Sequence, residues 1–145
     1  MRSALLVVIL LAFLTGSGTV RAETYCVSVQ GNDANDGGTE QSAWRTIAHA
    51  AKVAKAGDTV LVGPGDYGAE KVVFTNSGEP GRPIVVKGHG GRPQLQSDDK
   101  KVALAFQVEG GKSHIRIEGF AVVGYQSAVR FTKGASYCEA RDLRC

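Results

Sequence analysis

The sequence predicts an all-β fold, a right-handed parallel β-helix with an N-terminal capping α-helix and an incomplete C-terminal end. Three observations predict it. Short apolar segments, Val60-Leu61-Val62, Ile84 to Lys87, Ile115 to Glu118 and Cys138 to Arg141, recur at intervals of roughly 22 to 31 residues, the range of a solenoid. A second set (Lys71 to Phe74, Leu104 to Val108, Ala128 to Phe131) and a third (Gln94-Leu95, Phe120 to Val123, the segment from Leu143) interleave with the first. Glycine-rich breakers punctuate all of them, as in Gly57-Asp58 and Gly63-Pro64-Gly65-Asp66 on either side of Thr59 to Val62. Three short strands per turn of about two dozen residues describe a coil whose rungs stack at about 4.8 Å.

Taken in order, residues 1–22 read as a secretory signal peptide. Arg2 precedes an apolar run from Ala4 to Leu14, and Val20-Arg21-Ala22 supplies the small residues of a cleavage site. The run is too short to span a bilayer of about 30 Å. Residues 23–145 are then the cap and first rungs of the solenoid. Tyr25 to Val29 is a strand candidate, and Gln30 to Thr39 is a polar loop. A single helical pattern follows, with Trp44, Ile47, Ala48, Ala51 and Ala54 on one face and Arg45, His49, Lys52 and Lys55 on the other, stopped by Gly57. Its apolar face is expected to lid the bottom of the coil.

Laying the rungs over one another predicts the faces. Ile84, Ile115 and Cys138 point inward, as do Val86, Ile117 and Ala140. Outside, Val85, Arg116 and Glu139 form one file, and Lys87, Glu118 and Arg141 form another of alternating sign. Paired charges there leave little net field. The chain reaches Cys145 within a strand pattern with no capping sequence, so we expect the N-terminal piece of a longer solenoid whose open C-terminal edge is available for self-association.

Composition bounds the function. Loss of Arg2 and Arg21 with the leader leaves 15 basic residues against 14 acidic, lowering the formal charge from +3 to +1. No basic cluster remains for nucleic acid, and no membrane contact is expected after cleavage. The expected location is secreted, periplasmic or extracellular. Cys26, Cys138 and Cys145 make an odd set: Cys138 and Cys145 either pair locally or serve as small packing residues.

The candidate motifs dissolve in context. Gly63, Gly65 and Gly68 satisfy GxGxxG without opening a helix, and Gly110-Gly111-Lys112-Ser113 lacks the first glycine of a phosphate loop, holding Phe106 there. Asp33 to Gly38 offers hard oxygen ligands but misses the EF-hand frame, with Trp44 at the twelfth position, and reads as an Asx-rich turn. His49, His89 and His114 lack metal spacing, and Asp98-Asp99-Lys100-Lys101 reads as a solvated tip. No catalytic or metal residue is nominated, and no substrate-binding residue is specified.

Tyr25 to Asn32, Trp44 to Ile47, Gly57 to Val60, Pro64 to Tyr67, Gly81 to Ile84 and Ile115 to Phe120 together resemble the opening of the pectate-lyase-like superfamily of right-handed parallel β-helices. The resemblance implies a secreted carbohydrate-active protein, foremost a polysaccharide lyase acting on uronates by β-elimination. The alternative is a non-catalytic glycan-binding or surface module. In such lyases a Lys or Arg is the general base and calcium or another cation neutralises the carboxylate, because proton removal builds enolate charge. The family places those groups on rungs beyond Cys145, so the resemblance implies no cofactor within this chain and calcium only in a longer enzyme. A polysaccharide substrate or glycan ligand is the implied partner.

Overall fold

The computed structural model describes residues 21–98 and 104–145; the first twenty residues of the leader and Asp99 to Lys101 of the charged tip lie outside them. In chain order the elements are β1 (Thr24–Val27), α1 (Ile47–Val53), β2 (Thr59–Val62), β3 (Gly65–Asp66), β4 (Val72–Val73), β5 (Ile84–Gly88), β6 (Pro93–Gln96), β7 (Leu104–Val108), β8 (Ile115–Glu118), β9 (Ala121–Val123), β10 (Ser127–Phe131) and β11 (Glu139–Arg141). They form three parallel sheets, ordered β1-β2-β5-β8-β11, β10-β7-β4 and β3-β6-β9. Each sheet takes every third strand or nearly so, which is the connectivity of a parallel β-helix.

The register follows the β-branched spacing. Ile84 pairs with Ile115, Val86 with Ile117, and Ala140 with Ile117, so the inward file predicted from sequence is the one observed. Val72, Phe106 and Val129 align in the second sheet, and Leu95 aligns with Val122 in the third. The central positions Val60, Val86, Ile117, Phe106 and Leu95 are fully buried. Burial fades at the last rung: Ala140 is exposed, and Phe131 and Val123 are nearly half exposed.

Four expectations are corrected. Trp44 is not helical, because its backbone N–H donates to Cys26 O at 2.9 Å and its carbonyl accepts from Ser28 N at 2.9 Å, tying it beside β1. With α1 starting at Ile47, its buried face is Ile47, Ala50, Ala51 and the capping Ala54, which leaves Ala48 half-buried. The helix ends at Val53, ahead of Gly57, which lies in the following turn with φ 92°. Finally, Gly65-Asp66 is not a breaker but the first strand of the third sheet, paired with Pro93-Gln94. The strand expected from Tyr25 onward is β1, which pairs with β2 in the first sheet.

A helix of seven residues is too short to stand alone, so its ends are satisfied from outside. Thr46 is the N-cap and accepts from His49 N at 3.1 Å. Glu70 reaches back from a later loop to accept from Ala48 N at 2.9 Å, and Asn76 Nδ2 donates to Lys52 O and Ala54 O at the other end. Asp58, almost fully buried, accepts from Lys55 N and Glu23 N, joining the exit of the helix to the entry of β1.

Candidate functional site: the outer face of the first sheet and its groove

The first sheet is the widest and offers two outward files. One runs Thr24, Thr59, Val85, Arg116, Glu139; the other runs Cys26, Leu61, Lys87, Glu118, Arg141. The early rungs are neutral, and charge begins at β5. At the later rungs Glu139 accepts from Arg116 Nε at 3.0 Å and also pairs with Arg141 along its own strand. The hydrogen bond from Arg141, with that from Arg116 added, holds the Glu139 carboxyl below the usual carboxylate range against the opposing effect of burial. Two guanidiniums share one carboxylate there, and Glu118, the register partner of Arg141, balances the remaining charge.

On the neutral rungs the 36–43 loop and the turns after β2 and β5 wall a groove of about 480 Å3, lined by Cys26, Ser28, Glu40, Leu61, Pro64 and His89 among others. Burial pushes the Cys26 thiol up, and the Glu40 charge pushes the same way, so Cys26 is not an activated nucleophile. Cys26 faces outward, Cys138 is half-buried with its Sγ 3.2 Å from Ser136 O, Cys145 is exposed, and all three are free thiols.

The Asp33 to Gly38 stretch holds the loop together. Asp33 accepts from Arg45 N, Thr46 N and Thr46 Oγ1 at 2.7 to 2.9 Å, and Asp36 accepts from Gly38 N and Ser42 Oγ. Burial of Asp33 opposes its ionisation, but these Thr46 and Arg45 bonds outweigh it and lower its pKa. Those bonds make the stretch the Asx-rich turn that its composition predicts. Among the described residues no group of three or more His, Cys, Asp or Glu side chains converges as a metal site.

His49 sets its ring edge against Trp44, whose indole also stacks on Tyr25 at 4.5 Å and donates to Asn35 O. His89 is exposed at the groove, and His114 stacks on Tyr137. Gly110 and Gly111 form a left-handed turn before β8, so no phosphate loop exists there. Sequence reasoning missed the tyrosines. Tyr67 donates to Gly63 O and Tyr125 to Glu70 O; burial, with Glu70 adding, pushes both up to about 12, so neither serves as a base at neutral pH. Burial also raises Glu70, against the helix N–H groups it caps. Arg92 was missed as well: its Nη2 donates to both carboxylate oxygens of Asp142 at 2.8 Å, and its Nη1 reaches Asp142 O and Phe120 O, clamping three rungs.

Comparison with known proteins matches this geometry to a set of β-helices. A chain named pectate lyase Pel9A superposes with a TM-score of 0.60 at 21% identity, over 85% of this chain and 39% of that one. A rhamnogalacturonan lyase superposes with a TM-score of 0.57 at 27% identity, over 70% of this chain and 28% of that one. This chain has the pectate-lyase-like β-helix fold. The same β-helix superposes on the GH136 lacto-N-biosidase of Eubacterium ramulus, with a TM-score of 0.57 and 20% identity over 69% of this chain and 20% of that one. In sequence, residues 29–87 match the family described as "Protein of unknown function (DUF1565)". The uncharacterized protein YwoF of Bacillus subtilis (strain 168) is 40% identical over 63 residues, 43% of this chain and 13% of its own length. The β-helix described here thus spans well under half the length of each of these relatives.

Proposed function

We propose that this β-helix is part of a secreted protein that acts on uronate-containing polysaccharides, with β-elimination as the reaction. The observation that carries the reading is the superposition on a rhamnogalacturonan lyase at 27% identity across 70% of the chain. The groove over β1 and β2 lies on the same outer face of the first sheet as the Arg116-Glu139-Arg141 cluster, an extended polar surface that suits a long substrate. The leader pattern supports export, and among the described residues no helix is long and apolar enough to cross a membrane.

One observation favours a second reading, a non-catalytic glycan-binding module. Arg116 and Arg141 are both held in place by Glu139, a fixed polar surface that can contact a glycan without any catalytic group. The test is to incubate the full-length protein, with any rungs that follow Cys145, with polygalacturonate, alginate and chondroitin in calcium-containing buffer, following both ultraviolet absorbance of unsaturated ends and retention on each immobilised polymer. Rising absorbance supports the lyase; retention without absorbance supports the binding module. Neither signal on any polymer overturns both.

A further inference from the structure

The groove over β1, β2 and the turn after β5 has a charge pattern that bears on which sugar it takes. Its floor is the outward pair Cys26 and Leu61, with the Ser28 hydroxyl at the edge, and its volume of about 480 Å3 is that of a small-ligand cleft. The walls are built before any ligand arrives. Asp36 accepts from Gly38 N and Ser42 Oγ, and Cys26 N donates to Gly37 O at 2.8 Å, tying the 36–43 loop to β1. Gly63 N donates to Val27 O and His89 N to Val62 O, each at 2.8 Å, which sets the two turns. The 36–43 loop carries Asp36 and Glu40 and no Lys or Arg, and the turn after β2 carries Asp66. The turn after β5 carries His89 and Arg92, whose guanidinium is taken by Asp142. Asp36 is engaged within its loop, whereas Glu40 is exposed, lines the groove and has no hydrogen-bond or ion-pair partner among the described residues. A cation stands next to the groove: Lys87, the register partner of Leu61, lies one rung further along the same outward file. Glu118 is in register on its far side, yet Lys87 makes no ion pair among the described residues.

We propose that the groove is a subsite for an uncharged sugar unit, that Glu40 excludes a uronate from it, and that Lys87 receives the carboxylate of the adjoining uronate. The substrate class is then a polymer in which uronates alternate with uncharged sugars, rather than one with a carboxylate on every unit. Leu61 and Pro64 offer apolar surface to the C–H side of a pyranose, while Glu40 and Ser28 Oγ accept from its hydroxyls. A uronate in the same place would set its carboxylate against that of Glu40, a like-charge contact that discriminates by repulsion. Rungs are about 4.8 Å apart, close to the length of one sugar unit in a chain, so the step from Leu61 to Lys87 matches the step from one unit to the next. The preformed walls limit the ordering cost of binding.

The inference rests on the glycan reading, and its test separates the two. Dissociation constants are measured for unsulfated chondroitin, in which glucuronate alternates with an uncharged N-acetylhexosamine, and for polygalacturonate and alginate, which are uronate throughout. The full-length protein, with any rungs that follow Cys145, is compared with its variants Glu40→Gln, Lys87→Met and Glu109→Gln, after checking that each melts with the parent. The parent is predicted to bind chondroitin most tightly. Glu40→Gln is predicted to gain several-fold for polygalacturonate and alginate with chondroitin unchanged, and Lys87→Met to lose several-fold for chondroitin, the size expected of exposed charges. Both effects are predicted to shrink as salt is added. Glu109→Gln removes an exposed carboxylate just past β7, away from the groove, and is predicted to bind as the parent does. A parent that prefers the uniform uronans, or a Glu40→Gln variant that gains nothing on them, overturns the subsite and leaves the glycan reading standing. An equal gain in Glu109→Gln also overturns it, as a general effect of protein charge, and so does unchanged chondroitin binding by Lys87→Met. No binding of any polymer by the parent overturns the glycan reading and the subsite with it.

Discussion

Phe106→Ala is expected to lower the unfolding free energy by about 3 to 5 kcal/mol, a large part of the stability of a domain this size. Phe106 lies in β7, the middle strand of the second sheet, with no solvent exposure. Val72 and Val129 flank it in register, and the Phe120 ring meets it edge-on at 5.0 Å across the coil. Collapse around the missing ring would require rungs to slip past one another, which the three sheets oppose together, so the cavity stays open. Urea denaturation checks this, with Phe131→Ala in the same sheet as the comparison. Phe131 is 43% exposed, and its loss is expected to cost under about 1 kcal/mol. Equal costs at the two positions would mean that the second sheet does not face a packed interior.

Gly124→Ala is expected to cost about 3 kcal/mol or more, from two causes that add. Gly124 has φ 77°, a left-handed conformation that penalises any Cβ by about 1 to 2 kcal/mol. A Cβ there would also lie 1.9 Å from Ser97 O, a backbone atom of the turn one rung below, where Ser97 N donates to Val123 O at 3.0 Å. Relief means separating the two turns, at the usual price of overpacking, about 1 to 3 kcal/mol. Gly81→Ala isolates the first cause, since Gly81 has φ 75° with nothing within 4 Å of its Cβ position. Thermal melts in which the two variants lose similar stability would contradict the close stacking of turns on the third side of the coil.

The winding was legible because the inward residues are mostly β-branched and recur with glycine between them. Aligning Ile84 with Ile115 and Cys138 sets the register of the first sheet, and the outward files Val85-Arg116-Glu139 and Lys87-Glu118-Arg141 follow from alternation alone. That alignment also carried an unused signal: shifted back one residue, it sets His114 beside Tyr137. What escaped the sequence depends on partners distant along the chain. Trp44 fits a helical face by spacing, yet hydrogen bonds to Cys26 and Ser28 hold it as a bridge beside β1. Asp33 has the side chain of a cation ligand, but its acceptors go to Arg45 and Thr46. Glu70 and Asn76 cap α1 from more than twenty residues away, and local pattern gives no sign of either. Gly65-Asp66 has turn composition and becomes a strand only because Pro93-Gln94 lies alongside.

The account depends on parallel stacking of the rungs in the stated register, and disulfide trapping measures it directly. In a background with Cys26, Cys138 and Cys145 changed to Ser, Val85→Cys is combined either with Arg116→Cys, its register partner, or with Glu118→Cys, two residues further on. Adjacent strands stand about 4.8 Å apart, within disulfide reach, whereas the offset pair is separated by about 8 Å, beyond it. Mild oxidation is predicted to close the Val85/Arg116 pair with little change in melting temperature and to leave the Val85/Glu118 pair reduced. Closure of the offset pair alone, or of neither, would contradict the winding.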